Sequence, residues 1–115
     1  MIEMECVPGE VDLRCGGKAT IRLAVRFSSP SEKRPFRVDF LAYDSALVSI
    51  SPDHLESQAP HGSPGDNVFL DFVVGCIGSI SEEEFVGCHL HSPELDARCV
   101  LSIRCRPALP SWRPP

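Results

Sequence analysis

Two imidazoles in the segment His89-Leu90-His91 are the residues of this chain best placed to do chemistry. In an extended strand, residues two apart project from the same face, so the pair can supply two of the donors a zinc ion needs. No third donor stands nearby: Cys88 points to the opposite face, and His54 and His61 fall in a loop-like stretch. The pair therefore reads as exposed strand histidines, and no metal or other cofactor is expected. Cys15-Gly16-Gly17-Lys18 sets a thiol near an amine, an arrangement that can lower a thiol pKa. Its two glycines read more simply as a hairpin turn. There is no G-x-S-x-G elbow, phosphate-binding glycine loop, dinucleotide fingerprint, C-x-x-C pair or EF-hand spacing. Serines are plentiful, but a catalytic triad is defined by geometry that scattered His and Asp residues do not supply. The chain is accordingly expected not to be an enzyme.

The elements that must position these residues are strands. In TIRLAVRF, Ile21, Leu23, Val25 and Phe27 alternate with Thr20, Arg22, Ala24 and Arg26, the period-two pattern of a strand buried on one side. A short strand over 11–13 precedes it, between Pro8-Gly9 and Gly16-Gly17, and the strand itself covers 18–28. After a polar loop with two prolines, Phe36, Val38, Phe40 and Ala42 alternate with Arg37, Asp39, Leu41 and Tyr43 to give a third strand. Residues 47–50 make a short edge strand, stopped by Pro52, which cannot donate to a ladder.

From 51 to 67 the chain is rich in Pro, Gly, Ser and His and reads as a long irregular crossover. Residues 68–77 form the most apolar strand, with Phe69 and Val73 on its outer face. That face calls for cover, either by the 51–67 loop or by a second copy of the chain. Ser79 to Glu84 repeats the Ser-x-x-Glu signature of a helix start, so one helical turn is expected there. A closing hairpin over 85–91 and 97–106 turns at Ser92-Pro93-Glu94-Leu95-Asp96. The remaining PALPSWRPP is too rich in proline for sheet or helix and is expected to lie extended.

Composition limits the functional classes. The chain has 115 residues, 43% hydrophobic and 23% charged, ordinary values for a single globular domain, here assigned to 1–106 with a proline-rich tail over 107–115. No apolar run approaches the ~18 residues of a membrane helix. A net charge of −5 disfavours nonspecific nucleic-acid binding, which needs a basic footprint. The start, MIEMECVPGE, carries acids where a secretion signal has a basic segment and then an apolar one, so a cytoplasmic protein is expected. A chain trimmed of a leader would look the same.

Strand parity decides how the six cysteines read. Cys76 shares a face with Leu70, Phe72 and Val74, and Cys99 and Cys105 share one with Leu101 and Ile103. Thiols that point where apolar side chains point are expected to be buried and reduced, ahead of disulfide pairing or redox chemistry.

About seven short strands at turn-separated intervals, with no helix of ordinary length, indicate an all-β fold: an immunoglobulin-like β-sandwich of antiparallel strands with a short helical turn before the sixth. On PGEVDL, GGKATIRLAVRFSS, NVFLDFVV and that turn, the chain resembles the bacterial immunoglobulin-like accessory domains of the CARDB and fibronectin-like types. It departs from antibody-type domains, since its only Trp is Trp112 in the tail and Val86 stands two before Cys88.

If the third strand pairs with the closing hairpin, one outer face gathers Arg37, Tyr43, Phe85, His89, His91, Arg98, Arg104 and Arg106, with Asp39, Leu41, Val100 and Ser102 among them. Arginine and aromatic residues interleaved with aliphatics are enriched at protein interfaces. The expected function is thus a non-catalytic interaction module with a protein partner, and neither nucleic acid nor membrane. One alternative is a small acidic inhibitor or immunity-type protein using Glu82, Glu83, Glu84 and the acidic N-terminus. The other is a metal protein or enzyme built on His89 and His91.

Overall fold

The computed structural model describes residues 2–27, 35–58 and 67–108. Nine strands occur among them: β1 (Ile2–Val7), β2 (Glu10–Arg14), β3 (Lys18–Phe27), β4 (Pro35–Leu41), β5 (Val48–Ser51), β6 (His54–Gln58), β7 (Asn67–Cys76), β8 (Glu84–Ser92) and β9 (Ala97–Arg106). They form two sheets, a four-stranded one in the order β1-β3-β7-β5 and a five-stranded one in the order β2-β9-β8-β4-β6. The expected two-sheet sandwich is the observed architecture. The expected proline-rich tail lies almost wholly outside the described residues.

Alternation along each long strand explains why two sheets pack. Ile21, Leu23, Val25 and Phe27 of β3 are buried, as are Phe72, Val74 and Cys76 of β7, Val38 and Phe40 of β4, and Leu101, Ile103 and Cys105 of β9. The rings lock the two sheets together: Phe40 of β4 meets Phe72 of β7 at 4.9 Å between centroids, and Phe36 of β4 meets Phe27 of β3 at 6.4 Å. Each pair joins one sheet to the other, and apolar burial of this kind is the main term favouring folding.

The strand count exceeds the expected seven because the chain twice changes sheets where one strand was expected or none. β1 pairs antiparallel with β3, the chain turns at Pro8-Gly9, and β2 then pairs parallel with β9. The all-antiparallel expectation is corrected at that one ladder. Pro8 has no N–H to give either sheet, and the Gly9 carbonyl accepts from the Ser102 N–H at 3.0 Å, which starts the new ladder. A second change separates β5, on the four-stranded sheet, from β6, on the five-stranded one, at Pro52. The expected irregular crossover over 51–67 therefore contains a strand. Its polar sequence hides it, because β6 lies at a sheet edge and only Leu55 is buried.

No helical turn occurs before β8; the chain there is irregular up to Glu84. A Ser-x-x-Glu cap needs a helical run to cap, and the residues after it alternate with period two and pair with β9 from Glu84↔Cys105 onward. Of the two glutamates a capping box would use, Glu82 and Glu84, the second opens β8 opposite Cys105, and Glu83 between them meets Arg104 at 2.8 Å. The turn expected at Gly16-Gly17 occurs, with φ +88° at Gly16 and room at Gly17 for no Cβ, which would stand 2.9 Å from the Arg14 carbonyl oxygen. The expected hairpin is corrected, since β2 and β3 lie on different sheets.

Candidate functional site

The outer face of the five-stranded sheet is ordered by register into rows. Arg98 of β9 stands beside His91 of β8, Asp39 of β4 and His54 of β6. The next row is Val100, His89 and Leu41. Beyond a gap at Ser102 and Gly87, Arg104 stands beside Phe85, with Asp12 of β2 on the far side of Arg104. β4 does neighbour the closing hairpin, as the expected face requires.

The side chains on this face divide into a paired part and an unpaired part. Arg104 lies over the Phe85 ring at 4.9 Å, its Nε donates to Glu83 at 2.8 Å, and its Nη1 is 3.8 Å from Asp12. Arg106 Nε donates to the other oxygen of Asp12 at 2.8 Å. Arg37 Nε donates to Asp39 at 2.7 Å, and its backbone N–H donates to the Glu94 carboxylate at 2.9 Å. His54 on β6 bridges Asp53 at 2.7 Å and Glu56 at 3.1 Å. Arg98 is exposed and has no ion pair among the described residues, and it stands where β9 runs past β1.

Between these charges lies an apolar strip. Leu41 is 47% exposed and Val100 49%, on either side of the exposed His89, and Phe85 is 70% exposed. Gly87 lacks a side chain between Phe85 and His89, which leaves the strip open at that point. Tyr43 does not belong to it. β4 ends at Leu41, Ala42 takes φ 58°, and that left-handed residue breaks the alternation, so Tyr43 packs half-buried against the core. Of the eight residues expected on this face, seven lie on the five-stranded sheet and Tyr43 turns away. Sequence parity did not reveal Asp12, Glu83, His54 or Glu56, because their neighbours come from strands whose pairing is long-range.

His89 and His91 share a face, as two residues apart on β8 must, but different neighbours flank them: aliphatics for His89, Asp39 and Arg98 for His91. Among the described residues, no group of three or more His, Cys, Asp or Glu side chains is placed to hold a metal ion. On the opposite sheet, Arg22 reaches over Phe69 at 5.5 Å and pairs with Asp71 at 3.0 Å, so the chain itself covers part of the outer face of β7. Of the 51–67 loop expected to cover that face, residues 54–58 form β6 on the other sheet and residues 59–66 lie outside the described residues.

All six cysteines are free thiols, and four of them are buried. Cys6 of β1 and Cys99 of β9 approach to 3.7 Å between sulfurs. Either thiol can donate across this contact; with Cys99 ionised the Cys6 S–H faces its thiolate, which holds Cys99 low, while the same contact and then burial push Cys6 up. Cys88 is pushed up to about 11 by burial. Burial, and then contact with Cys105 and Cys15, pushes Cys76 up to about 12. These are inert, apolar thiols, save the pair at Cys6 and Cys99.

No family model and no curated protein sequence matches the chain. Its fold is similar to a chain from a structure of the chaperone–tip adhesin complex of CFA/I fimbriae biogenesis, with a TM-score of 0.62 at 13% identity, over 92% of this chain. This chain spans about half of that one, 56% of its length. It is also similar to the apo form of the Calx CBD1 domain, with a TM-score of 0.56 at 15% identity, covering 93% of this chain and 97% of that one. Both are β-sandwich domains, and at such low identity the likeness carries the fold: an immunoglobulin-like, all-β sandwich.

Proposed function

We propose that this chain is a non-catalytic protein-interaction domain that engages its partner through the outer face of the five-stranded sheet. The observation that carries this reading is the exposed row Leu41, His89 and Val100, with Phe85 beyond it and the exposed Arg98 at its end. Aliphatic and aromatic side chains left in water on a sheet face, beside an arginine with no ion pair among the described residues, suit a partner that buries the apolar strip and offers an acid to Arg98. Arg37, Arg104 and Arg106 already face carboxylates, so they frame the strip and set its register more than they attract charge.

The same pairs weigh against the acidic-inhibitor alternative, because Asp12 and Glu83 are engaged within the sheet. A cytoplasmic location and a kinship with bacterial accessory domains belong to this proposal. The likeness to a chain of an adhesin complex is compatible with it, as a fold used in protein assembly.

Comparative affinity capture from the native source tests the reading, with wild-type protein, a Leu41→Asp/Val100→Asp variant, and a Thr20→Asp control on the opposite sheet. A partner retained by wild type and control but lost by the double variant is the expected result. If all three capture the same proteins in the same amounts, the face is not the binding surface and the proposal fails.

A further inference from the structure

Cys6 and Cys99 come from strands at opposite ends of the sequence, 93 residues apart, on different sheets. β1 and β9 run past each other along one edge of the sandwich, where the sulfurs meet at 3.7 Å. A disulfide holds its sulfurs at about 2.0 Å, so side-chain rotation by less than about 2 Å would close the bond. Cys6 is buried, while Cys99 is half-buried between the exposed Arg98 and Val100. Only one of the pair can be reached from water.

We propose that Cys6 and Cys99 form a redox-sensitive dithiol, oxidised by low-molecular-weight disulfides of the glutathione type to a bond that staples β1 to β9. Cys99 acts first. Its thiolate attacks one sulfur of the oxidised reagent, forming a mixed disulfide at Cys99 and expelling one reagent thiolate. Cys6 then loses its proton to water and attacks the Cys99 sulfur, expelling the second. One reagent disulfide is reduced to two thiols, two protein thiols become one disulfide, and the two protein protons end on the released thiols.

The order of attack follows from the geometry, since Cys99 is the accessible sulfur and Cys6 the buried one. The contact with the Cys99 thiol is the largest cause of the raised Cys6 pKa, and capping Cys99 removes it, which frees Cys6 to resolve. The competing route is the group of the half-buried Cys15 with Cys76 and Cys105, for which no sulfur approach as short as 3.7 Å occurs among the described residues. Cys88, Cys76 and Cys105 are buried, and burial raises all three. Because Cys99 lies between Arg98 and Val100 of the proposed binding face, the staple would also fix the edge of that face.

The test treats the folded, full chain with oxidised glutathione at neutral pH, quenches it in acid, alkylates it and maps the tryptic peptides by mass spectrometry. Cleavage after Arg14 separates Cys6 from Cys15, and cleavage after Arg98 and Arg104 isolates Cys99 from Cys88 and Cys105. Expected are one cross-link joining the Cys6 and Cys99 peptides and a protein lighter by two hydrogens. In Cys6→Ser, one glutathione should remain on Cys99; in Cys99→Ser, neither cross-link nor adduct should form. The wild-type map decides the matter alone if either variant fails to fold. A cross-link among Cys15, Cys76 and Cys105 with Cys6 and Cys99 still reduced would overturn the proposal. So would a lasting wild-type adduct on Cys99, or no loss of thiols after exposure that oxidises the urea-unfolded chain.

Discussion

Phe72→Ala and Phe69→Ala test the sandwich on a single strand. Phe72 is 1% exposed, in the inner face of β7, with the Phe40 ring of the other sheet 4.9 Å away and tilted by 54°. Truncating such a ring removes transfer energy, leaves a cavity and breaks an aromatic pair, so a loss of about 4 kcal/mol is expected. Phe69, three residues earlier and on the outer face, is 56% exposed. More than half of its surface already meets water, so its truncation should cost about 1 kcal/mol or less. A domain of this size is stable by roughly 5–15 kcal/mol, so the first variant lies near the limit of folding and the second does not.

Urea denaturation followed by circular dichroism reads both, with the slopes required to match wild type so that midpoints report stability alone. At a slope of about 1.5 kcal/mol/M, Phe72→Ala should lower the midpoint by about 2.7 M and Phe69→Ala by less than about 0.7 M. Equal, large losses would refute the reasoning, since they would mean that the outer face of β7 is as covered as the inner one. A midpoint rising with protein concentration would then identify a second copy of the chain as the cover.

Three further outcomes follow from the thiols and the ion pairs. Cys88 and Cys76 are pushed up to about 11 and about 12 in the folded chain, so the folded state keeps protons that the unfolded chain sheds above about pH 9. Stability should be level below pH 9 and fall as pH rises towards 11, by roughly 1.4 kcal/mol per unit for each thiol. Urea midpoints across that range check this, and Cys88→Ala should have the shallower slope. If the Cys6 to Cys99 staple forms, it closes most of the chain into a loop and should stabilise the fold by about 4 kcal/mol; an oxidised protein with an unchanged midpoint would contradict this. Asp12→Asn should leave the midpoint within experimental scatter at physiological salt, because the Asp12 pairs are exposed and screened; a marked loss would show that they hold β2 to β9.

The long strands were legible because a half-buried strand writes its burial into every second residue. TIRLAVRF and the 97–106 segment are buried at the positions the alternation names. The elements that escaped detection lack that imprint. β6 buries only Leu55 at a sheet edge. β1 does alternate, with Met4 and Cys6 buried and Glu3, Glu5 and Val7 exposed, but its acids and the Pro8-Gly9 break draw attention to a turn. The false helical turn shows the reverse case. Ser-x-x-Glu is a local signal, and the ladder with β9 is a non-local competitor that satisfies the same backbone.

The candidate site was legible only as a face, because parity assigns sides and says nothing of neighbours across strands. Arg104 and Arg106 appeared as free charges in the sequence, yet register sets Arg104 beside Asp12 and the Arg106 side chain, one pair further along, reaches the same carboxylate. Tyr43 continues the β4 pattern in one dimension and leaves it in three, since the single left-handed residue at Ala42 reverses its side. Cys99 was assigned inward on the same parity, and it does point in. What parity does not contain is that β1 brings Cys6 to within 3.7 Å of it. The chemistry left to this fold therefore sits where two segments distant in sequence meet at an edge.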